Sequence, residues 1–229
     1  MKIGAIILCR YNSSRLPGKI LMEIGGIPIL EHIINRLSSV PELEIIVATS
    51  EEDTDDPIVD YCINRDQAYY RGSLTNVAER ILKASQEHDL DYFIRINGDN
   101  LFIDIAVLSY MISIATTNKF NFISNVKNRS FPYGMSLEIL NVNFYSKIIK
   151  KFDTDYYKEH VTIYLYEHEE DINVKYVFNE NEREASGLQL AIDTKADFKR
   201  AQGIVSKLKD GLSDYTLKDI VEAKNKINE

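Results

Sequence analysis

Residues 3–19, IGAIILCRYNSSRLPGK, constrain this chain more than any other stretch. Residues 3–9 are an apolar run of strand length. The run passes directly into a loop in which Arg10, Arg15 and Lys19 are spaced through small and polar residues. Leu16-Pro17-Gly18 sets a turn immediately before the lysine. A buried strand that delivers a cationic loop at its carboxyl end is how open α/β sheets hold phosphates.

The residues that follow repeat the order of apolar strand, polar loop and amphipathic helix. Gly25-Gly26 is a turn, Pro28 suits the first turn of a helix, and Ile29, Leu30, Ile33, Ile34 and Leu37 share one helical face. Residues 44–50 read as a second buried strand, followed by an acidic, surface-like loop over 51–56, a short helix over 58–64 and a short strand over 68–70. Arg71-Gly72-Ser73 reads as a turn before a helix at 76–88. Residues 91–97 form the next strand, broken by Gly98-Asp99-Asn100, and 105–117 the next helix. Such alternation implies parallel strands with right-handed crossovers. The second half is less regular. Strands are expected at 120–125, 135–140, 174–178 and 188–192, and helices at 144–152, 159–167, 196–208 and 217–227. No repeat, low-complexity tract or linker divides residues 1–229, which read as a single domain.

The chain has 229 residues, 45% of them hydrophobic, enough to bury one sizeable core. A formal net charge of −8 argues against nucleic acid as a partner, so the cations of the opening loop stand out against the overall sign. The two cysteines, Cys9 and Cys62, lack metal-ligand spacing and read as reduced, buried thiols of a cytoplasmic protein. Met1-Lys2 with an apolar run ending at Cys9 imitates a lipoprotein signal, but the run is at the short limit for one. No later run is long and charge-free enough to span a bilayer, so no membrane partner is expected.

The opening loop is not a P-loop: Ser13 stands where the first glycine belongs, and Ile20 where a serine or threonine should follow Gly18-Lys19. It is not a dinucleotide fingerprint either. Arg10, Arg15 and Lys19 together can neutralise a triphosphate, with Ser13 and Ser14 donating hydrogen bonds. Asp99 and Asp193 each end an apolar run, and two such aspartates can hold Mg²⁺ while phosphates and water fill its other positions. Capping of the helix after residue 195 is the competing role for Asp193. Arg71 and Ser73 could read a base or ribose, although Ser73 and Thr75 are also candidate helix caps. His160 by itself reads as a packed, hydrogen-bonded histidine. No serine–histidine–aspartate triad or zinc pattern is present.

Taken together, CRYNSSRLPGKIL, the Gly25-Gly26-Ile27-Pro28 turn, VATS with Asp56-Pro57-Ile58, YRGS with Asn76-Val77, RINGDN, FPYGMSLEIL, KEHVT and LAIDT resemble, in this order, the CMP-sugar synthetases, the cytidylyltransferases that activate acidic sugars. The sequence looks most like the branch of the spore-coat polysaccharide biosynthesis protein F. The resemblance implies a nucleotide-diphosphosugar transferase fold, a GT-A-like three-layer α/β/α sandwich with a mixed, mostly parallel sheet. It implies a nucleotide-binding half at 1–119, an acceptor or dimer part at 120–192, and C-terminal helices at 193–229. It implies transfer of CMP from CTP to an acidic sugar or sugar phosphate for surface polysaccharide biosynthesis, with Arg10, Arg15, Lys19 and Asp99 catalytic and Mg²⁺ at Asp99 and Asp193. Nucleotide binding is implied for Leu8, Cys9, Arg10, Ser13, Ser14, Arg15, Lys19, Thr49, Arg71, Ser73 and Asn97, acceptor binding for Tyr133, Gly134, Glu138 and His160, and a homodimer for the assembly. The pattern departs in having Cys9 for a common alanine, Asn100-Leu101-Phe102 for a proline-containing turn, and Lys158 for an arginine. The alternatives are a glycosyltransferase of the same fold, for which Asp53-Thr54-Asp55 and Asp89-Leu90-Asp91 have the metal-motif spelling, and a non-catalytic nucleotide-binding homologue.

Overall fold

The computed structural model describes residues 1–118, 120–209, 211–212 and 214–227. Its strands are β1 (Ile3–Leu8), β2 (Glu23–Ile24), β3 (Ile27–Pro28), β4 (Glu44–Ser50), β5 (Tyr69–Gly72), β6 (Tyr92–Asn97), β7 (Phe122–Ser124), β8 (Glu138–Asn141) and β9 (Val174–Tyr176). Seven of them form one sheet in the order β5-β4-β1-β6-β8-β7-β9, while β2 and β3 make a small hairpin. The pairs β5–β4, β4–β1, β1–β6 and β7–β9 are parallel, and β8 runs antiparallel to both β6 and β7. The parallel block places the carboxyl ends of β1, β4, β5 and β6 along one edge, where a nucleotide site belongs in such a sheet.

The helices are α1 (Ile29–Leu37), α2 (Asp56–Asn64), α3 (Val77–Glu87), α4 (Ile105–Asn118), α5 (Val142–Ile148), α6 (Asp155–Glu159), α7 (Ile163–Glu167), α8 (Lys195–Val205) and α9 (Leu217–Asn225). Side-chain alternation along β1 divides the core. Ile3, Ala5 and Ile7 join residues of α1, α2, α4, α8 and α9 on one face, and Ile6 joins residues of α3, α5 and α7 on the other. This is the three-layer α/β/α sandwich with a mixed, mostly parallel sheet that the family resemblance implied.

Four local expectations are corrected. Residues 159–167 are not one helix: α6 ends at Glu159, Val161 has φ 34°, and α7 starts at Ile163. Residues 188–192 are not a ladder strand, because they meet a partner only at an isolated bridge between Gln189 and Tyr133. Arg71 and Gly72 are not in a turn but finish β5, since the ladder continues through Thr49↔Arg71 and Ser50↔Gly72. Helix α3 is capped by Asn76, whose side chain accepts from the Glu79 N–H, rather than by Ser73 or Thr75.

Candidate active site

The loop after β1 holds its shape through its own backbone. The Gly18 N–H donates to Tyr11 O at 2.7 Å, and Gly18 takes φ 72°, a conformation that glycine adopts without strain. The loop is also tied to the acidic segment after β4. Asp55, 1% exposed, accepts from the Tyr11 N–H at 2.7 Å, the Thr49 hydroxyl at 2.9 Å, and the Ser50 N–H and hydroxyl at 3.0 and 2.5 Å. Burial alone would raise the Asp55 pKa, but these donors together hold the carboxyl below the ordinary range. The acidic loop is therefore not uniformly a surface one, and Asp55 is the structural residue that sequence reasoning missed. Its one signal was its place in the loop that follows the two hydroxyls of Thr49 and Ser50 at a strand end.

A cavity of about 330 Å³ lies over the carboxyl ends of β1 and β6. Of the residues implied to bind nucleotide, Leu8, Cys9, Arg10, Ser13, Ser14, Arg15, Lys19 and Asn97 line it, together with Asp99 and Asp193. At one end Lys19 Nζ donates to Ile192 O at 2.6 Å and stands 3.7 Å from Asp99 Oδ2 and 3.4 Å from Asp193 Oδ1. Arg15 Nη2 reaches the same Asp193 oxygen at 2.8 Å. Arg10 is exposed and stands 3.8 Å from Glu159. Burial and the facing Asp193 carboxylate push the Asp99 carboxyl above its ordinary pKa, against the opposing effect of Lys19. Cys9 is buried, and desolvation pushes its thiol well up, while Cys62 is pushed up to about 12 for the same reason. Neither is poised as a nucleophile.

Asp193 is not a cap. Thr194 caps α8 in a capping box with Asp197, which leaves the Asp193 side chain to the cavity. The segment carrying it is held by the Ile192 N–H donating to Asp99 O at 3.2 Å and by close passage over Gly134. A Cβ at Gly134, whose φ is 89°, would stand 2.4 Å from Ala191 N. The loop after Asp99 is braced by Arg36 Nε and the Tyr215 hydroxyl, each donating to Ile103 O at 3.1 Å.

Three residues of the implied nucleotide set stand elsewhere. Thr49 is fully buried on Asp55. Arg71 donates to Ser50 O, Glu52 O and Asp56, on the acidic segment. The Ser73 hydroxyl accepts from the Asn76 N–H. Arg80 lines the cavity in addition.

A second cavity, of about 490 Å³, shares Arg95, Asn97 and His160 with the first. His160 is exposed and lies edge-on to Tyr156 with ring centroids 4.7 Å apart, so it is not the packed histidine that its isolation in sequence suggested. Glu138, 2% exposed, lines this cavity but has both oxygens engaged, by Arg95 Nη1 at 2.5 Å and by the Tyr166 hydroxyl at 2.7 Å. Tyr133 and Gly134 do not line it, and the Arg129 guanidinium stands over the Tyr133 ring at 4.6 Å. Arg129 itself lines the cavity and was not singled out from the sequence. Asn128 and Arg129 take φ 58° and 48°, successive left-handed conformations that no local motif announces.

The donor set fits a hard divalent cation. Asp99 and Asp193 supply two carboxylates, and no cluster of three or more metal-ligating side chains occurs among the described residues. Phosphate oxygens and water would have to complete the sphere, as Mg²⁺ commonly requires. Neither candidate Asp-x-Asp motif serves this cavity: Asp55 is consumed as described, and Asp91 Oδ2 accepts from the Lys2 N–H at 2.8 Å.

The parallel edge, the cationic loop and the two cavity aspartates Asp99 and Asp193 define a nucleotidyltransferase. The chain belongs to the cytidylyltransferase family, whose model matches residues 4–227. It is 30% identical over 210 residues to the spore coat polysaccharide biosynthesis protein SpsF of Bacillus subtilis (strain 168), covering 88% of this chain and 85% of that protein. It is 34% identical over 200 residues to the uncharacterized protein MJ1063 of Methanocaldococcus jannaschii, covering 87% of this chain and 81% of that protein. The structure of a cytidylyltransferase from Leptospira borgpetersenii superposes with a TM-score of 0.92 at 28% identity, covering 100% of this chain and 95% of the other.

Proposed function

We propose that this protein transfers CMP from CTP to a sugar acid, releasing pyrophosphate, as a step in the biosynthesis of a surface polysaccharide. The observation that carries this reading is the convergence of Lys19, Asp99 and Asp193 in one cavity that shares three lining residues with a second. The triphosphate lies along Arg10, Arg15 and Lys19, each of which faces a carboxylate that phosphate oxygens can replace. Asp99 and Asp193 would hold Mg²⁺, which would neutralise charge on the non-bridging and leaving oxygens. The acceptor hydroxyl oxygen, presented from the second cavity, forms a bond to the α-phosphorus. The α–β bridging bond breaks, pyrophosphate takes the electron pair, and the hydroxyl proton goes to solvent. Positioning and fixed positive charge carry the catalysis.

An acidic acceptor is supported by the charges of the second cavity. Arg95 is balanced by Glu138, whereas Arg129 contacts the Ser136 hydroxyl and the Tyr133 ring, both neutral. Its planar fork suits a carboxylate. Two free, buried cysteines support a reducing cytoplasm, and no described helix is long and apolar enough to cross a membrane. A homodimer is the assembly that the family resemblance implies, and the mass of the protein in solution tests it.

The deciding experiment incubates the protein with CTP, Mg²⁺ and a panel of sugar acids, neutral sugars and sugar phosphates, following pyrophosphate. Release confined to sugar acids is expected. Release only with neutral sugars or sugar phosphates overturns the acidic acceptor, sugar transfer from a nucleotide donor indicates a glycosyltransferase, and CTP binding without turnover a non-catalytic homologue.

A further inference from the structure

The first cavity has two unlike ends. Lys19, Asp99 and Asp193 gather beside β6, while Leu74, Val77 and Arg80 come from the turn after β5 and from α3. Strands β5 and β6 are separated by β4 and β1, so three strand spacings, roughly 14 Å, part their carboxyl ends. A triphosphate held at Lys19 therefore extends its nucleoside toward Leu74, Val77 and Arg80.

Arg80 is the unusual group at that end. It is 3% exposed, and among the described residues the only hydrogen bond of its side chain runs from Nη1 to Ser73 O at 2.9 Å. Its Nε is buried without a partner. A buried donor left unmatched is costly unless a ligand supplies the acceptor. Burial also lowers the Arg80 pKa, so an acceptor from a ligand would relieve its charge as well. The neighbours Leu74 and Val77 are apolar, which suits the faces of a ring and not a phosphate. A guanidinium edge presents two parallel donors to two adjacent acceptors. Cytosine offers such a pair in O2 and N3, whereas uracil carries a hydrogen on N3.

We propose that Arg80 selects the base: its unspent guanidinium donors pair with the O2 and N3 acceptors of a cytosine seated against Leu74 and Val77. This rests on the cytidylyl-transfer reading above and adds the residue that enforces its base preference. Arg71, the nearer sequence candidate, is spent on the acidic segment and plays no part.

Equilibrium binding of CTP and UTP, which needs no acceptor sugar, tests this on the wild-type protein and on Arg80→Gln and Arg80→Lys, with melting temperatures as a folding control. Wild type is expected to favour CTP over UTP by about tenfold to a hundredfold, the usual discrimination by one bidentate arginine. Both variants are expected to lose that preference by weakening for CTP alone. Arg80→Lys keeps the charge and loses the paired edge, so restored preference in that variant overturns the proposal. Equal weakening of CTP and UTP, or full retention of the preference by either folded variant, does so too. If wild type binds neither nucleotide, the cytidylyl-transfer reading fails along with this one. If it prefers CTP and the variants keep that preference, only the role of Arg80 fails.

Discussion

The Tyr11 backbone N–H donates to Asp55 Oδ1 at 2.7 Å, and this one bond anchors the cationic loop after β1 to the segment that follows β4. Asp55→Ala would leave that N–H and the Thr49 and Ser50 donors facing a void. An unmatched buried donor costs about 1–3 kcal/mol, so we expect a total loss of about 3 kcal/mol by denaturant unfolding. A released loop should also raise KM for CTP. A variant with unchanged stability and unchanged KM would show that the contact is idle.

The same carboxyl has a pH signature. Its folded pKa lies below the ordinary value, so the stabilisation is fully present above the unfolded pKa of about 3.9 and is lost as pH falls through the folded value. Asp55→Asn should therefore lose stability most at neutral pH and approach wild type as the solution is acidified below about pH 4. Parallel unfolding curves at every pH would contradict this.

Lys19 and Asp99 face each other across 3.7 Å in the first cavity, where the proposed reaction places the triphosphate. Removing either takes a preorganised charge from the reacting phosphates. Lys19→Ala and Asp99→Ala should each lower the rate of pyrophosphate release from CTP on the order of a hundredfold or more. Near-normal turnover in either variant would remove that residue from the catalytic set.

Arg95 and Glu138 form an ion pair at the boundary of the two cavities, with side chains 19% and 2% exposed. Glu138→Leu alone leaves Arg95 without its counter-ion and should cost about 3–5 kcal/mol. Adding Arg95→Met should return part of that loss, because the unbalanced charge is gone. A double variant no more stable than the single one would argue that the two residues are not coupled.

Arg129→Ala separates the two substrates. It should raise KM for a sugar acid at least tenfold, about what loss of a charge-assisted hydrogen bond costs, and leave KM for CTP within about twofold. Equal changes for both substrates would place Arg129 outside the acceptor pocket.

Much of this was written in local chemistry. The alternation of apolar runs and helical faces over residues 3–118 announced the parallel block and its crossovers, because each period is imposed by contacts along a single element. The cationic loop and the two aspartates were legible for a similar reason: each directly follows an apolar run, β1 for the loop, β6 for Asp99 and residues 188–192 for Asp193. The second half was harder. Residues 188–192 have a strand's composition, yet they pair at one bridge only, since what lies beside them is Gly134 and not a second strand.

Residue type and spacing by themselves determined that this chain would build an α/β sheet with a parallel block, and with three cations and an aspartate at one edge of it. They could not say which polar residues the fold would spend on itself. Only the tertiary structure decided that Asp55 is a buried anchor, that Arg71 serves the acidic segment, that Thr194 takes the cap and frees Asp193, and that Arg80 and Arg129 line the cavities. The physical reason is that a polar side chain's role depends on which donors and acceptors reach it from distant elements, and no local pattern records those distances.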